Sequence, residues 1–253
     1  MHLTIDNKTV SCQDGQFLLQ VARENGIGIP TLCDHKGVEP WGGCRLCLVE
    51  VTRTDWDGWS TLVTSCLYPA KDGLIVMTNS PKVREARAVV LDLLLARCPE
   101  VEELQRMAKV YGITKTSFVP NKDASERCIL CGLCVRVCDS IGAVAISTIG
   151  RGVLKKVAVP MAEENLSTCI GCLACALNCP TNAIEYSDDG ELRKIWNITF
   201  ELTKCKVCGK PIGTQEQLKH FSQKSGLPEN YFELCEECSN MVTADKYASV
   251  IFK

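Results

Sequence analysis

The run Cys128-Ile-Leu-Cys131-Gly-Leu-Cys134-Val-Arg-Val-Cys138 recurs as Cys169-Ile-Gly-Cys172-Leu-Ala-Cys175-Ala-Leu-Asn-Cys179-Pro180, offset by 41 residues at every cysteine. Three closely spaced thiolates on a tight loop reach three corners of an iron–sulfur cubane. The chain then turns into a helix, and the next cysteine points to the far side. In the C-x2-C-x2-C-x3-C-P run the fourth cysteine accordingly ligates the other cluster. The repeat predicts two crossed [4Fe–4S] sites, one at Cys128, Cys131, Cys134 and Cys179, the other at Cys169, Cys172, Cys175 and Cys138. Gly132 and Gly171 would let the backbone approach the sulfides. Asp139 stands where the motif has proline, which sets the turn but donates no ligand, so both sites are expected to survive. Zinc sites or free thiols are the competing reading, and two complete copies at one offset weigh against it.

Upstream, Cys33, Cys44, Cys47 and Cys66 are spaced C-x10-C-x2-C-x18-C. A plant-type [2Fe–2S] ferredoxin has C-x4-C-x2-C and a distant fourth cysteine. The first gap is longer here, but a loop can still wrap a flat cluster. Trp41-Gly42-Gly43-Cys44 supplies glycines and backbone N–H groups for the sulfides. Zinc is the competing reading, since C-x2-C pairs also bind it. Around this loop, Leu3-Thr4-Ile5 and Thr9-Val10-Ser11 flank the hairpin signal Asp6-Asn7-Lys8. Phe17 to Ala22 gives one helical face stopped by Gly26 and Gly28. Leu48 to Val51 and Leu74 to Met77 read as strands. Ser80 and Pro81 start a helix through Leu95, Pro99 breaks it, and a second helix runs from Glu100 to Val110 and ends at Gly112.

This order of motifs resembles the N-terminal part of the large iron–sulfur subunit of respiratory complex I. It resembles equally the diaphorase small subunit of NAD-reducing hydrogenases and the electron-bifurcating [FeFe]-hydrogenase catalytic subunit. The residues that carry the likeness are Cys33-Asp34-His35 through Cys66, the helical bridge, both cluster runs, and Arg151-Gly152 to Pro160 with Ser167-Thr168-Cys169 between them. The resemblance covers about residues 1–187. Together with the strand, helix and cysteine signals it gives an expected α+β organisation: a β-grasp [2Fe–2S] domain (1–78), a helical bridge (79–118) and a bacterial two-[4Fe–4S] ferredoxin-like domain (119–187), followed, beyond the resemblance, by a small C-terminal four-cysteine module (188–253). Those relatives often carry a further [4Fe–4S] site ligated by one histidine and three cysteines. Here only Cys98 could ligate, so that site is expected to be missing. Cys98 and Cys12 are then buried small apolar side chains. The hydrogenase catalytic domain is likewise expected to be missing, and the chain is then expected to be similar to the iron–sulfur subunits of Stn-type bifurcating transhydrogenases.

In the tail, Cys205-Lys-Val-Cys208-Gly209 and Cys235-Glu-Glu-Cys238 are two C-x2-C knuckles. Brought together they make a four-thiolate site for structural zinc, with a third [4Fe–4S] cluster as the alternative. Thr214 and Gln217 have capping-box spacing before a helix to about Lys224, which fills the gap between the knuckles. A zinc site would fold a small docking module.

Eighteen cysteines in 253 residues, about 7%, approach the level of disulfide scaffolds. The start, Met1-His2-Leu3-Thr4-Ile5-Asp6, has neither basic residues nor an apolar core, and the C-x2-C spacing reads as metal sites in a reducing compartment. The net charge of −2 gives no basic field for nucleic acid. No apolar run is long enough for membrane insertion. A cytoplasmic protein is expected.

His35 is read as a hydrogen-bond donor near the first cluster or merely exposed, since a Rieske site needs two histidines. Trp41, Trp56 and Trp59 are read as packing, and Glu163-Glu164 and Glu236-Glu237 as solvated faces. No dinucleotide fingerprint or Walker sequence occurs, and no catalytic residue is assigned. The resemblance implies single-electron relay in a flavin-dependent NAD(P)H oxidoreductase. The partners would be a complex I-type flavoprotein subunit with a small [2Fe–2S] subunit, and soluble ferredoxin. The alternatives are the iron–sulfur subunit of a formate dehydrogenase or hydrogenase, and a redox-sensing interaction protein.

Overall fold

The computed structural model describes residues 1–160 and 167–251, with side chains to residue 247. The Glu163-Glu164 pair lies outside the described residues. The chain divides into two units, the first comprising Met1–Arg136 with Pro180–Ala183, the second Val137–Cys179 with Ile184–Lys253.

In the first unit, β1 (His2–Ile5) and β2 (Lys8–Ser11) form an antiparallel hairpin. Asp6 and Asn7 turn it in the left-handed region, which short polar side chains tolerate. α1 (Leu18–Glu24) follows, then β3 (Leu48–Thr52), β4 (Thr61–Thr64) and β5 (Ile75–Met77). The sheet order is β2-β1-β5-β3-β4, with β1 and β5 parallel and the other pairs antiparallel. Leu18, Leu19, Val21 and Ala22 of α1 join Leu3, Ile5, Val49, Val51 and Val76 in one core, in agreement with the apolar run. β4 carries no sequence signal of its own; its four residues are all half-buried, so no alternation marks them.

α2 (Pro81–Arg97) starts as expected, with the Ser80 side chain accepting from the Val83 N–H. Its buried Arg87 donates through Nε and Nη2 to the Leu48 carbonyl, fastening the helix to β3. α3 (Glu102–Val110) buries Leu104, Met107 and Ala108. α4 (Leu133–Ile141) carries Cys134 and Cys138, and the division between units falls within it.

In the second unit, β6 (Ser147–Ile149) pairs with β7 (Lys156–Ala158), and α5 (Ala174–Leu177) follows the second cysteine run. Then come β8 (Tyr186–Asp188), β9 (Leu192–Ile195), β10 (Ile198–Lys204) and β11 (Pro211–Thr214), an antiparallel meander in the order β11-β10-β9-β8. Cysteine spacing alone assigns this stretch to a metal module, and the sheet is an addition that the structure makes. α6 (Gln215–Ser225) begins at Thr214, whose hydroxyl accepts from the Gln217 N–H, as the capping spacing predicts. α7 (Glu236–Ile251) ends the described chain. No helix among the described residues is long and apolar enough to cross a membrane.

Candidate metal centres

The first unit gathers Cys33, Cys44, Cys47 and Cys66, all buried. They stand as two pairs. The Cys44 N–H donates to Cys33 Sγ at 3.3 Å, and the Leu32 N–H donates to Cys44 Sγ at 3.4 Å. In the other pair Cys47 Sγ and Cys66 Sγ are 3.3 Å apart. Cys44 is lowered to about 6, chiefly by the Cys33 side chain, and Cys33 is pushed up chiefly by the same contact. Cys47 is lowered to about 7 by Cys66, and Cys66 is raised in turn. Two buried pairs served by backbone N–H groups fit a flat cluster whose two irons each take two thiolates.

Sequence reasoning misses a residue beside this loop. Arg136 donates through Nη1 to the Glu39 carbonyl at 2.6 Å and through Nη2 to the Cys33 carbonyl at 2.5 Å. His35 Nδ1 accepts from the Gly37 N–H at 3.1 Å, a local turn contact. Trp56 packs against the core and lies 5.1 Å from Trp59, ring centre to ring centre. Trp41 is 61% exposed, so packing does not describe it well.

Of the first cysteine run, Cys131 and Cys134 are buried and Cys128 half-buried. The Arg97 Nε donates to the Cys128 carbonyl at 2.7 Å, and the Cys128 N–H donates to Glu126. Cys98 has no exposed surface, and burial pushes its thiol up to about 12. Cys179, half-buried, belongs to the second unit.

The second unit brings Cys138, Cys169, Cys172 and Cys175 around one hollow. Its other walls are apolar, among them Ile141, Ala143, Ile146, Ile170 and Ile195. The Ala145 N–H donates to Cys138 Sγ at 3.2 Å. Burial raises Cys138, Cys169 and Cys175, the last to about 11, with the Trp196 side chain opposing the rise. Gly171 and Leu173 take positive φ, which bends the ligand loop. Four thiols converging on an apolar hollow with N–H donors suit a four-iron cluster better than four solvated thiols.

In the tail, the sulfurs of Cys205, Cys208, Cys235 and Cys238 all lie within 4.8 Å of one another, and Cys208 and Cys235 are 3.7 Å apart. A single zinc with Zn–S of about 2.3 Å sets tetrahedron edges of about 3.8 Å. In a cubane each thiolate caps a different iron, so its sulfurs stand farther apart. Cys205 is lowered to about 6, chiefly by the Cys208 and Cys235 backbone N–H groups, and Cys238 is raised to about 12 by the neighbouring thiols.

A mixed sheet with four converging thiols, followed by duplicated cysteine runs, defines an iron–sulfur protein of ferredoxin-like build. Residues 1–81 match the 2Fe-2S iron-sulfur cluster binding domain, and residues 162–185 match the 4Fe-4S binding domain. The chain is 33% identical over 232 residues to the G 2 subunit of NADH-quinone oxidoreductase from Rhizobium meliloti, covering 82% of this chain and 26% of that protein. It is 33% identical over 231 residues to the HndD subunit of the NADP-reducing hydrogenase from Solidesulfovibrio fructosivorans, covering 79% and 37%. A solved chain of the NAD+-reducing [NiFe]-hydrogenase in the H2-reduced state superposes with a TM-score of 0.61 at 27% identity, over 88% of this chain and 97% of that one. The chain carries a 2Fe-2S and a 4Fe-4S binding domain, and its homologues are subunits of NADH-quinone oxidoreductases and of NAD(P)-reducing hydrogenases. It spans only about a quarter to two-fifths of the length of the Rhizobium and Solidesulfovibrio relatives.

Proposed function

We propose that this chain is an electron-transfer subunit. It would hold a [2Fe–2S] cluster at Cys33, Cys44, Cys47 and Cys66, and two [4Fe–4S] clusters, one at Cys128, Cys131, Cys134 and Cys179, the other at Cys169, Cys172, Cys175 and Cys138. The observation that carries the reading is the hollow lined by Cys138 of one run and three cysteines of the next, which is what crossed ligation requires. When bound, such clusters take up and release one electron at a time, which suits dividing the two electrons of a hydride donor after a flavin has received them. The chain's own part is to bury the thiols, supply N–H donors to the sulfurs and exclude water. The tail thiols would hold one structural zinc, favoured over a third cluster by their 4.8 Å spread.

The relatives' names, subunits of NADH-quinone oxidoreductase and of NADP-reducing hydrogenase, support a multi-subunit NAD(P)H oxidoreductase. We place it in the cytoplasm, with a complex I-type flavoprotein and a small [2Fe–2S] subunit as partners. The finer form of the proposal is a Stn-type bifurcating transhydrogenase that also exchanges electrons with soluble ferredoxin. Two measurements test it. Metal analysis of the anaerobically purified chain should find about ten irons and one zinc. No zinc and about four more irons would assign the tail to a cluster instead. The purified native complex should contain flavin and show NADH:dye reductase activity. A nickel-containing subunit in its place would select the hydrogenase reading, which the solved relative favours.

A further inference from the structure

The second cysteine run is covered by residues that the metal motifs do not include. The Arg193 Nη1 donates to the Gly171 carbonyl at 3.0 Å, and the buried Thr214 hydroxyl donates to the Ile170 carbonyl at 2.5 Å. Phe200 lies against Gly171, and Ile195 lines the hollow itself. These four residues come from β9, β10 and β11, so the meander forms a roof on the ligand loop. At its tightest turn, between β9 and β10, Trp196 and Asn197 both take positive φ, 55° and 62°. An aromatic residue in the left-handed region is strained. That conformation fixes where the indole goes. Its Nε1 is buried and has no hydrogen-bond partner of proper geometry, while the Trp196 side chain stands against the Cys175 thiol.

A buried N–H without an acceptor is costly, and a tryptophan normally finds one. The Cys175 Sγ beside it gains acceptor strength when metal binds, because it then becomes a thiolate. We propose that the Trp196 indole N–H is a hydrogen-bond donor to the Cys175 thiolate and that the β9–β10 turn sets the reduction potential of the cluster held there. This rests on the reading that Cys138, Cys169, Cys172 and Cys175 hold a [4Fe–4S] cluster. Reduction adds one electron and one negative charge, so a donor aimed at a ligand sulfur stabilises the reduced state more than the oxidised one. Trp196 is a positioning and tuning residue: it transfers no electron and ligates no iron.

The experiment is a dithionite titration of the full chain, reconstituted anaerobically and followed by EPR, comparing wild type with Trp196→Phe. The variant should keep the wild-type iron and sulfide content. Its one affected signal should need a lower potential: at fixed potential the reduced-to-oxidised ratio should fall about tenfold, equivalent to about 59 mV for one electron. The other two signals should stay in place. Full iron content with all three midpoints unmoved would overturn the proposal. Should the variant lose its cluster, a Trp41→Phe background that keeps Trp196 decides: pulsed EPR on that protein with ¹⁵N-labelled indole should show a weak nitrogen coupling on one reduced [4Fe–4S] signal, and its absence from both would overturn the proposal. Cys169→Ser keeps the underlying reading separate. If that change removes no iron, the cluster assignment itself has failed, independently of Trp196.

Discussion

The two cysteine runs are near copies in sequence, yet the fold treats them differently. Each ligand loop passes twice through the left-handed region, at Leu130 and Gly132 in the first copy and at Gly171 and Leu173 in the second, so the glycine stands at a different one of the two positions in each. Beyond Gly132 the nearest neighbour is the indole of the exposed Trp41, with its Nε1 3.6 Å from where a Cβ would stand. Beyond Gly171 lie Phe200 and Thr214, both buried, at 2.8 Å from a Cβ. One glycine therefore serves backbone conformation alone, while the other also admits the sheet. Duplicated motifs share the geometry of their ligands. They need not share the surroundings that set solvent access and hydrogen bonding.

Paired alanine substitutions give the largest expected contrast. Gly132→Ala should cost about 1 kcal/mol, the strain of a Cβ at positive φ. Gly171→Ala adds a clash with Phe200 and Thr214, and overpacking costs about 1–3 kcal/mol more. Urea unfolding of the reconstituted chain should show this ordering, with iron loss specific to Gly171→Ala. Equal losses at both glycines would mean the roof yields freely, and the contrast between the copies would disappear.

Thr214→Val tests the same roof more gently. The hydroxyl donates to the Ile170 carbonyl and caps α6 by accepting from the Gln217 N–H at 3.0 Å. Valine keeps the shape and removes both bonds, for about 1–2 kcal/mol. Because one of those bonds holds the second ligand loop, chelator-induced iron release should quicken for one [4Fe–4S] site. The [2Fe–2S] visible signal should be unaffected. Uniform quickening at all sites would show that Thr214 acts through global stability alone.

Much of this contrast is hidden in the sequence, and the reason is physical. Ligand spacing is local, so the repeat, the Ser80 and Thr214 caps and the Asp6-Asn7 hairpin can be read directly. The meander leaves weaker marks. β10 does alternate, with Phe200 and Leu202 buried between more exposed neighbours, but its cysteine flank draws the reading toward a zinc module. The tight Trp196-Asn197 turn carries no glycine, which is the usual sign of a two-residue hairpin. Arg136 is equally unreadable, because its acceptors are carbonyls about a hundred residues away. For His35 the sequence leaves a donor near the cluster or an exposed side chain, and the structure has its Nδ1 accept from the Gly37 N–H within its own turn.

The smallest expected effect concerns a thiol beside the first copy. Cys98 follows α2, sits fully buried and interacts electrostatically with Cys128. Burial pushes its thiol up to about 12, and no second cysteine stands near it in the sequence to share a metal. Burial dominates that rise, so Cys98 behaves as a small apolar side chain packed beneath a ligand loop. Cys98→Ala should leave iron and sulfide content unchanged and lower stability by about 1 kcal/mol, the order of one buried group deleted. Metal analysis and urea unfolding on the same preparation check both parts. Loss of about four irons would instead make Cys98 a ligand of the first copy's cluster or of an additional one. The two copies would then differ in their metal chemistry as well as in their surroundings.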